Sequence, residues 1–422
     1  MGISSVTGTW EIGDNWPHPK IFVTDYLILA IAKASTDLKL YELTNSGNTW
    51  TATEKATLGT LADIINVDVA GFGTYCVVTV NLGATKTVFE RDPSDGTWGS
   101  VNVTTIPGGS SMCNFNGQLI IGSPYSTGDP WKDLPKCSVA WGDIGSNKMN
   151  PEDDVVAGFR QMPFDENGNN AVQKVLSLGD RCMIYGDAGV STGKMTMVDK
   201  YPAMSFMELS RVGVRHNYHV AGDAQKHVYL GKNNELMLAT SEGVKLLGYK
   251  KLMEQLIVDN VVITHESVRD KFFISDGVKC FVLAPGGMYS THQCTTGITD
   301  YKGIQCGFIK DNGDTKIRLQ TTGFDLGIQG YKTVESVESG LDYGLAMTGT
   351  VATKYEHGGS FVSTPGVIIN SKGMFTKKIT GREFKVQLEG DYDSSETFQL
   401  SSILCKLKFG DKINTRGRLN VG

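Results

Sequence analysis

The chain has no apolar run long enough to cross a bilayer. Its longest, Tyr26–Ala32, holds seven residues, where a membrane helix needs about 20. It also lacks the basic-then-apolar plan of a secretory leader, opening instead on Met1-Gly2-Ile3-Ser4-Ser5. Gly2 is present, but position 6 is Val where N-myristoylation needs Ser or Thr. Basic charge is not in excess. The formal net charge is −5, from 40 Lys and Arg against 45 Asp and Glu, whereas proteins that hold nucleic acid by releasing its counterions carry a basic face. Synthesis in the cytoplasm, with no membrane span and no grip on DNA, is the expectation.

Paired cysteines are missing as well. The eight cysteines stand singly at 76, 113, 137, 182, 280, 294, 306 and 405, with no C-x-x-C, which argues against a disulfide framework or a zinc ribbon. Most lie in apolar strand-like runs such as Tyr75-Cys76-Val77-Val78 and read as buried free thiols. Helical periodicity is scarce, and its best instance covers only residues 247–260.

What the chain does have is glycine and short apolar runs. There are 50 Gly, and 40% of residues are apolar. Runs of four to seven apolar residues end on Gly, Asn, Asp or Pro, the pattern of antiparallel strands joined by tight turns. An internal repeat marks the first quarter. Leu40-Tyr41-Glu42 through Thr49-Trp50 lies over Val88-Phe89-Glu90 through Thr97-Trp98 at an offset of 48. Tyr26-Leu27-Ile28-Leu29 lies over Tyr75-Cys76-Val77-Val78 at an offset of 49. A period of about 40–50 with several strands per unit is the signature of a β-propeller. Hairpins centred on Phe115–Ile121, Leu178–Tyr185, His227–Leu238 and Lys271–Val282 continue the series, and residues 304–324 read as a last partial unit.

The fold expected is therefore all-β: a propeller of about six or seven blades over residues 1–330, followed by a C-terminal β-rich domain over 331–422. The polar stretch 143–170 reads as an insertion between blades, suited to contacts with partners. In the C-terminal part, residues 362–369, 382–388 and 403–409 read as strands, and 411–422 as a flexible arm. All six Trp lie at or before position 141, which sets the N-terminal region apart in texture.

Candidate chemistry is thin. Ala188-Gly189-Val190-Ser191-Thr192-Gly193-Lys194-Met195 has the outline of a phosphate-binding loop, but Ala stands for the first Gly and Met195 for the hydroxyl that would bind magnesium. Asp165-Glu166-Asn167-Gly168-Asn169-Asn170 and Asp311-Asn312-Gly313-Asp314 offer oxygens to calcium without the closing Glu of an EF-hand loop. His216 and His219 are three apart; on a strand they would face opposite sides and could not share a metal. Neither G-x-S-x-G nor H-E-x-x-H occurs. No catalytic, cofactor-binding or metal-binding residue is assigned, and an enzyme is not expected.

Asp92-Pro93-Ser94-Asp95-Gly96-Thr97-Trp98 resembles the Asp-box of sialidase-type propellers, one residue short, with Asn48 in the partner repeat where Gly96 stands. In that box the residues shape a hairpin turn and the Trp packs between blades. Three further stretches resemble the tail nozzle or tail-hub β-propeller proteins of short-tailed (podovirus-type) bacteriophages. They are Asn234-Glu235-Leu236 with Glu242–Tyr249; Asp270-Lys271-Phe272-Phe273-Ile274-Ser275-Asp276-Gly277; and Thr380–Val386 with Leu400-Ser401-Ser402-Ile403 and residues 411–418. That resemblance implies a non-enzymatic virion component of the tail. It implies a homo-oligomeric ring, a hexamer by analogy, that contacts a tail adaptor and fibre or plug proteins and lets DNA pass during ejection. Two other classes stay open: a carbohydrate-binding or glycoside-cleaving propeller, and a scaffold of the kelch or WD-repeat kind.

Overall fold

The computed structural model describes residues 4–5, 20–24, 26–46, 49–144, 149, 157–162, 170–198, 201–291, 293–301, 304–311, 316–321, 323–324, 331–341, 347–356, 358–391, 400–409 and 413–420. The chain divides into two units, Met1–Asn312 and Gly313–Gly422.

The first unit is a succession of sheets, the first six each an antiparallel meander in chain order. Sheet I holds Lys20–Val23, Ile28–Ala34, Asp37–Ser46 and Thr49–Thr60. Sheet II holds Asn66–Phe72, Tyr75–Asn81, Lys86–Arg91 and Trp98–Val101. Sheet III holds Ser111–Phe115, Gln118–Gly122, Ser138–Trp141 and Gly158–Gln161. Sheet IV holds Val172–Leu178, Arg181–Gly186, Val190–Val198 and Tyr201–Ser210. Sheet V holds Val220–Gly222, Lys226–Leu230, Leu236–Thr240 and Gly243–Gly248. Sheet VI holds Val262–Glu266, Lys271–Ser275, Cys280–Ala284 and Gly287–Thr291. Sheet VII has Gln293–Tyr301 and Ile304–Asp311, joined by Ser4–Ser5, which pairs parallel with Cys306 and Gly307. Its first strand lies beside the first strands of both sheet VI and sheet I.

The second strands explain why these sheets stack. In Tyr75–Asn81 five consecutive residues are buried, and in Gln118–Gly122 all five are. Successive side chains of a strand point to opposite faces, so an unbroken buried run means that both faces are covered. The alternation can be followed residue by residue. Cys76, Val78 and Val80 pack back onto Leu29, Ile31, Leu38 and Leu40 of sheet I. Val77 packs forward onto Met112, Leu119 and Ile121 of sheet III. Cys182 and Ile184 pack back onto Phe115, Ile120 and Val139, and Met183 and Tyr185 pack forward onto Val220, Tyr229 and Ala239. Burial falls away outward: the fourth strands Gly158–Gln161 and Gly243–Gly248 hold no buried residue. Sheets buried on both faces by their neighbours, with the first strand innermost, make this unit a β-propeller.

Turn chemistry follows the sequence. Asn116 (φ +52°) and Gly117 (φ +80°) close a two-residue hairpin between Phe115 and Gln118, the backbone that Asn-Gly favours. The repeats seen in the sequence coincide with equivalent strands: the 48-residue offset joins third and fourth strands of sheets I and II, and the 49-residue offset joins their second strands.

Several expectations are corrected. The stretch 143–170 does not lie wholly between blades, because Gly158–Gln161 pairs with Ser138–Trp141 as the outer strand of sheet III. The helical pattern at 247–260 yields one turn of α-helix, Lys250–Met253, and a 3-10 turn, Val258–Asn260. Met253 and Leu256 of that segment plug the interface between sheets V and VI. The unit boundary falls at 312 rather than 330, because Lys316–Gln320 pairs with Glu383–Asp391 of the second unit.

The second unit is a pair of sheets. One runs Lys316–Gln320, Glu383–Asp391, Met347–Lys354 and Val362–Ser363, with Val367–Ile368 also on Met347–Lys354. The other runs Met374–Gly381, Lys332–Leu341, Leu400–Phe409 and Ile413–Asn420. Val334, Val337, Val351, Phe375, Phe384 and Val386 fill the core between them. The stretch expected as a flexible arm thus contains a strand, Ile413–Asn420, paired with Leu400–Phe409. An edge strand needs only its backbone to pair on one side, so a polar sequence does not prevent it.

Replacing Ile184, fully buried between sheets III and IV, by Ala should cost about 2–5 kcal/mol. Ile257→Ala, at a side chain 54% exposed, should stay within about 0.5 kcal/mol of the parent. Urea unfolding followed by tryptophan fluorescence measures both, and equal midpoints for the two variants would refute the interface assignment.

Candidate functional site

The innermost strands of sheets I, II, III, IV, V and VI surround a cavity of about 510 Å³ in the propeller. Because the first strand of each sheet is the one nearest its counterparts, any polar residue on it is carried inward with the apolar ones. Lys20, Asp68 and Lys174 arrive there this way, from sheets I, II and IV.

Asp68 is 1% exposed and fully engaged. Each carboxylate oxygen accepts from the Lys174 Nζ at 2.7 Å. The Ser111 hydroxyl and the Met112 amide, the latter at 3.2 Å, donate to Oδ2, and the Val69 amide donates to Oδ1 at 3.1 Å. Ser111 Oγ in turn accepts from the Val175 amide at 3.0 Å. One carboxylate therefore ties together the inner strands of sheets II, III and IV. Removing one partner of such a pair strands a charge out of water.

Lys20 is different. It is 7% exposed, and among the described residues its amino group meets no hydrogen-bond acceptor and no carboxylate within ion-pair distance. Its Nζ lies 4.5 Å from the centroid of the Tyr218 ring, a cation–π placement. Burial, and then the charge of Lys174, lower its pKa to about 7 against the opposing pull of Asp68.

One histidine lines the cavity, and two more flank the neighbouring turn. His265 is the one on the cavity wall, stacked on Phe272 at 4.1 Å between ring centroids. It lies 3.8 Å from Asp223 and 3.6 Å from Asp270. Burial lowers its pKa against the pull of those carboxylates. His216 and His219 are not on a strand, as the sequence reading assumed, but flank and end a 3-10 turn, Asn217–His219. That turn brings their rings to 5.1 Å, edge to face, and stacks His216 on Tyr218. Burial, then His216 and Arg215, push the pKa of His219 down to about 3, so its ring is neutral. Among the described residues no three His, Cys, Asp or Glu side chains gather as metal ligands.

The remaining motifs take structural places. In the Asp-box-like turn, Asp92 Oδ1 accepts from the Ser94 amide and hydroxyl at 2.8 and 2.6 Å, and Asp95 Oδ1 does the same for Thr97 at 2.8 and 2.7 Å. Gly96 adopts φ +75°. Trp98 then packs into the interface of sheets I and II, and its Nε1 donates to Glu42 Oε1 at 3.0 Å. Glu42 also meets Arg91 at 3.1 Å and Lys55 at 3.2 Å. Its partial burial raises its pKa, but the hydrogen bonds from Trp98, Arg91 and Lys55 outweigh that and lower it. The phosphate-loop outline lies mostly in the strand Val190–Val198, where Lys194 pairs with Asp180 at 2.6 Å. The two calcium-like stretches fall largely outside the described residues, including Asp165–Asn169 and Asn312–Asp314. Seven cysteines, at 76, 113, 137, 182, 280, 294 and 405, are buried.

The sequence reading passed over Lys20, Asp68, Ser111 and Lys174. A signal was present: a single charge within an otherwise apolar strand, as in Val67-Asp68-Val69-Ala70.

No protein-family model matches the chain, and no curated protein matches it. Among solved structures, PorZ of the type-IX secretion system of Porphyromonas gingivalis is 12% identical at TM-score 0.41. The match covers 72% of this chain and 35% of that one, so the chain spans about a third of PorZ. BamB from Moraxella catarrhalis is 11% identical at TM-score 0.34, over 69% of this chain and 91% of that one. The Swd1 β-propeller domain of Myceliophteria thermophila is 8% identical at TM-score 0.39, over 67% and 89%. No described helix is long and apolar enough to cross a membrane.

Lys174→Met should cost about 3–5 kcal/mol by leaving Asp68 charged and unpaired. Adding Asp68→Asn should recover part of the loss in the same urea titration; a double variant no better than the single one would refute the pairing. Lys20 gives a second test. The unfolded side chain keeps its proton up to about pH 10.5 and the folded one loses it near 7. Unfolding between those values takes up a proton, so this contribution to stability rises with pH from 7 to 10. Lys20→Met should be most stabilised relative to the parent below pH 7, with the difference shrinking as pH rises. A difference independent of pH would refute the burial of a free amine.

Proposed function

We propose that this chain is a structural, ring-forming component of a bacteriophage tail, a nozzle or hub through which DNA leaves. The observation that carries the reading lies on the outside of the propeller. The outermost strands of four successive sheets each present a large apolar side chain to solvent: Phe159 (47% exposed), Met207 (54%), Leu246 (57%) and Tyr289 (43%). Among the described residues those strands also have one unpaired backbone edge. Exposed apolar groups beside open strand edges suit lateral contact with another protein, and a ring requires such contacts between protomers.

The interior supports the same reading. A cavity of about 510 Å³ has the volume of a small-molecule pocket and cannot pass a duplex. On this reading the DNA path runs between protomers, as a ring provides. The alternative, a glycoside-cleaving propeller, needs two carboxylates facing the substrate with at least one free. Asp68 is the one carboxylate among the described residues lining the cavity, and Lys174, Ser111 and Met112 occupy it. Contacts to a tail adaptor and to fibre or plug proteins, and the hexameric count, follow from the sequence resemblance.

Light scattering on the purified chain should give a mass several times 45.8 kDa, and negative-stain images should show rings with an open centre. Met207→Glu with Leu246→Glu should reduce the particle to a single chain. A parent protein that stays a monomer at every concentration, and also when mixed with tail proteins, would overturn the proposal.

A further inference from the structure

We propose that the cavity inside the propeller is a binding site for a small organic carboxylate, with Lys20 as its counter-ion. The inference is independent of the ring, since a filled propeller could serve equally well as a building block.

It rests on an imbalance of charge. Three charged side chains line the cavity, and two of them neutralise each other: Lys174 holds both oxygens of Asp68 at 2.7 Å. Lys20 is left over. It is 93% buried, being 7% exposed, and the aromatic face of Tyr218 is the one partner it has among the described residues. A buried ammonium with no acceptor is costly, and an anion in the cavity would supply the acceptor. Burial has already lowered the proton affinity of the amine to a pKa of about 7, so an arriving carboxylate would draw a proton onto Lys20 as it binds.

The occupant's class follows from the surroundings. With Lys174 committed, one free cation remains, which matches one negative charge; a phosphate dianion would need a second. The rest of the wall is mixed. Ile21, Val67, Val220 and Ile263 offer apolar surface, and among the described residues two buried oxygens lack partners: the Thr264 hydroxyl, which can donate to a carboxylate, and Asn217 Oδ1, which accepts and faces the body of the ligand rather than its charge. That combination suits a carboxylate on a small, partly apolar body, and the volume of about 510 Å³ accommodates one. The titratable groups that line the cavity with Lys20 are Lys174, Asp68, Tyr218 and His265, whose pKa burial lowers, and His216 acts on Lys20 by its charge.

Isothermal titration calorimetry of the full chain with benzoate, and with neutral benzamide as its isostere, tests this near pH 8. Benzoate is expected to bind at least about tenfold more tightly than benzamide, a difference of about 1.4 kcal/mol. Its binding heat should vary with the ionisation enthalpy of the buffer, reporting proton uptake. Lys20→Met, which removes a buried charge and should fold at least as well, is expected to abolish both the preference and the proton uptake while its circular dichroism matches the parent. Equal binding of benzoate and benzamide, no binding of either, or a preference retained in Lys20→Met would overturn the proposal. Tighter binding of inorganic phosphate than of benzoate would overturn the ligand class.

Discussion

The second strands of sheets I to VI are apolar on both faces, and a four-stranded sheet of that kind cannot be stable alone in water. Its two faces must be covered, and the cover is provided by its neighbours in the chain. Val77 faces sheet III while Cys76 and Val78 face sheet I; Met183 faces sheet V while Cys182 and Ile184 face sheet III. Burial at about 25 cal/mol per Å² therefore accrues at interfaces between sheets rather than in one central core. Seven sheets can follow one another without any single oversized hydrophobic centre, which is how 312 residues remain one unit.

The same constraint creates the cavity and fixes its electrostatics. Strands that pack side by side toward an axis cannot fill the axis itself. Polar residues on the inner strands meet there with little water to solvate them, so charge must be paired or neutralised. Asp68 and Lys174 take the first course, across sheets II and IV and with Ser111 of sheet III between them. Lys20 takes the second, since burial and the charge of Lys174 bring its pKa to about 7. Glu42, Arg91 and Trp98 show the contrasting case at an outer interface, where an ion pair and an indole N–H lock sheet I to sheet II.

Much of the propeller was legible because it is built from local signals. Alternating short apolar runs, Asn116-Gly117 at a hairpin and the 48-residue echo of Trp50 in Trp98 all act within a few dozen residues. The failures share one cause. The outer strand Gly158–Gln161 and the strand Ile413–Asn420 have polar sequences and are strands because a neighbour pairs with them. Lys316–Gln320 belongs with Glu383–Asp391, some 70 residues away, so the unit boundary could not be placed from local texture. The two histidines at 216 and 219 looked divergent on an assumed strand and meet on a 3-10 turn.

By itself the sequence determined the class of fold, the period of the sheets and the structural role of the Asp-box-like turn. Those depend on backbone preferences and on patterns of burial that repeat along the chain. Only the tertiary structure decided which charges share the cavity. Lys20, Asp68 and Lys174 are up to 154 residues apart and lie on three different sheets. Their meeting depends on how those sheets pack, and desolvation, which gives Lys20 its low pKa, exists only once they have packed.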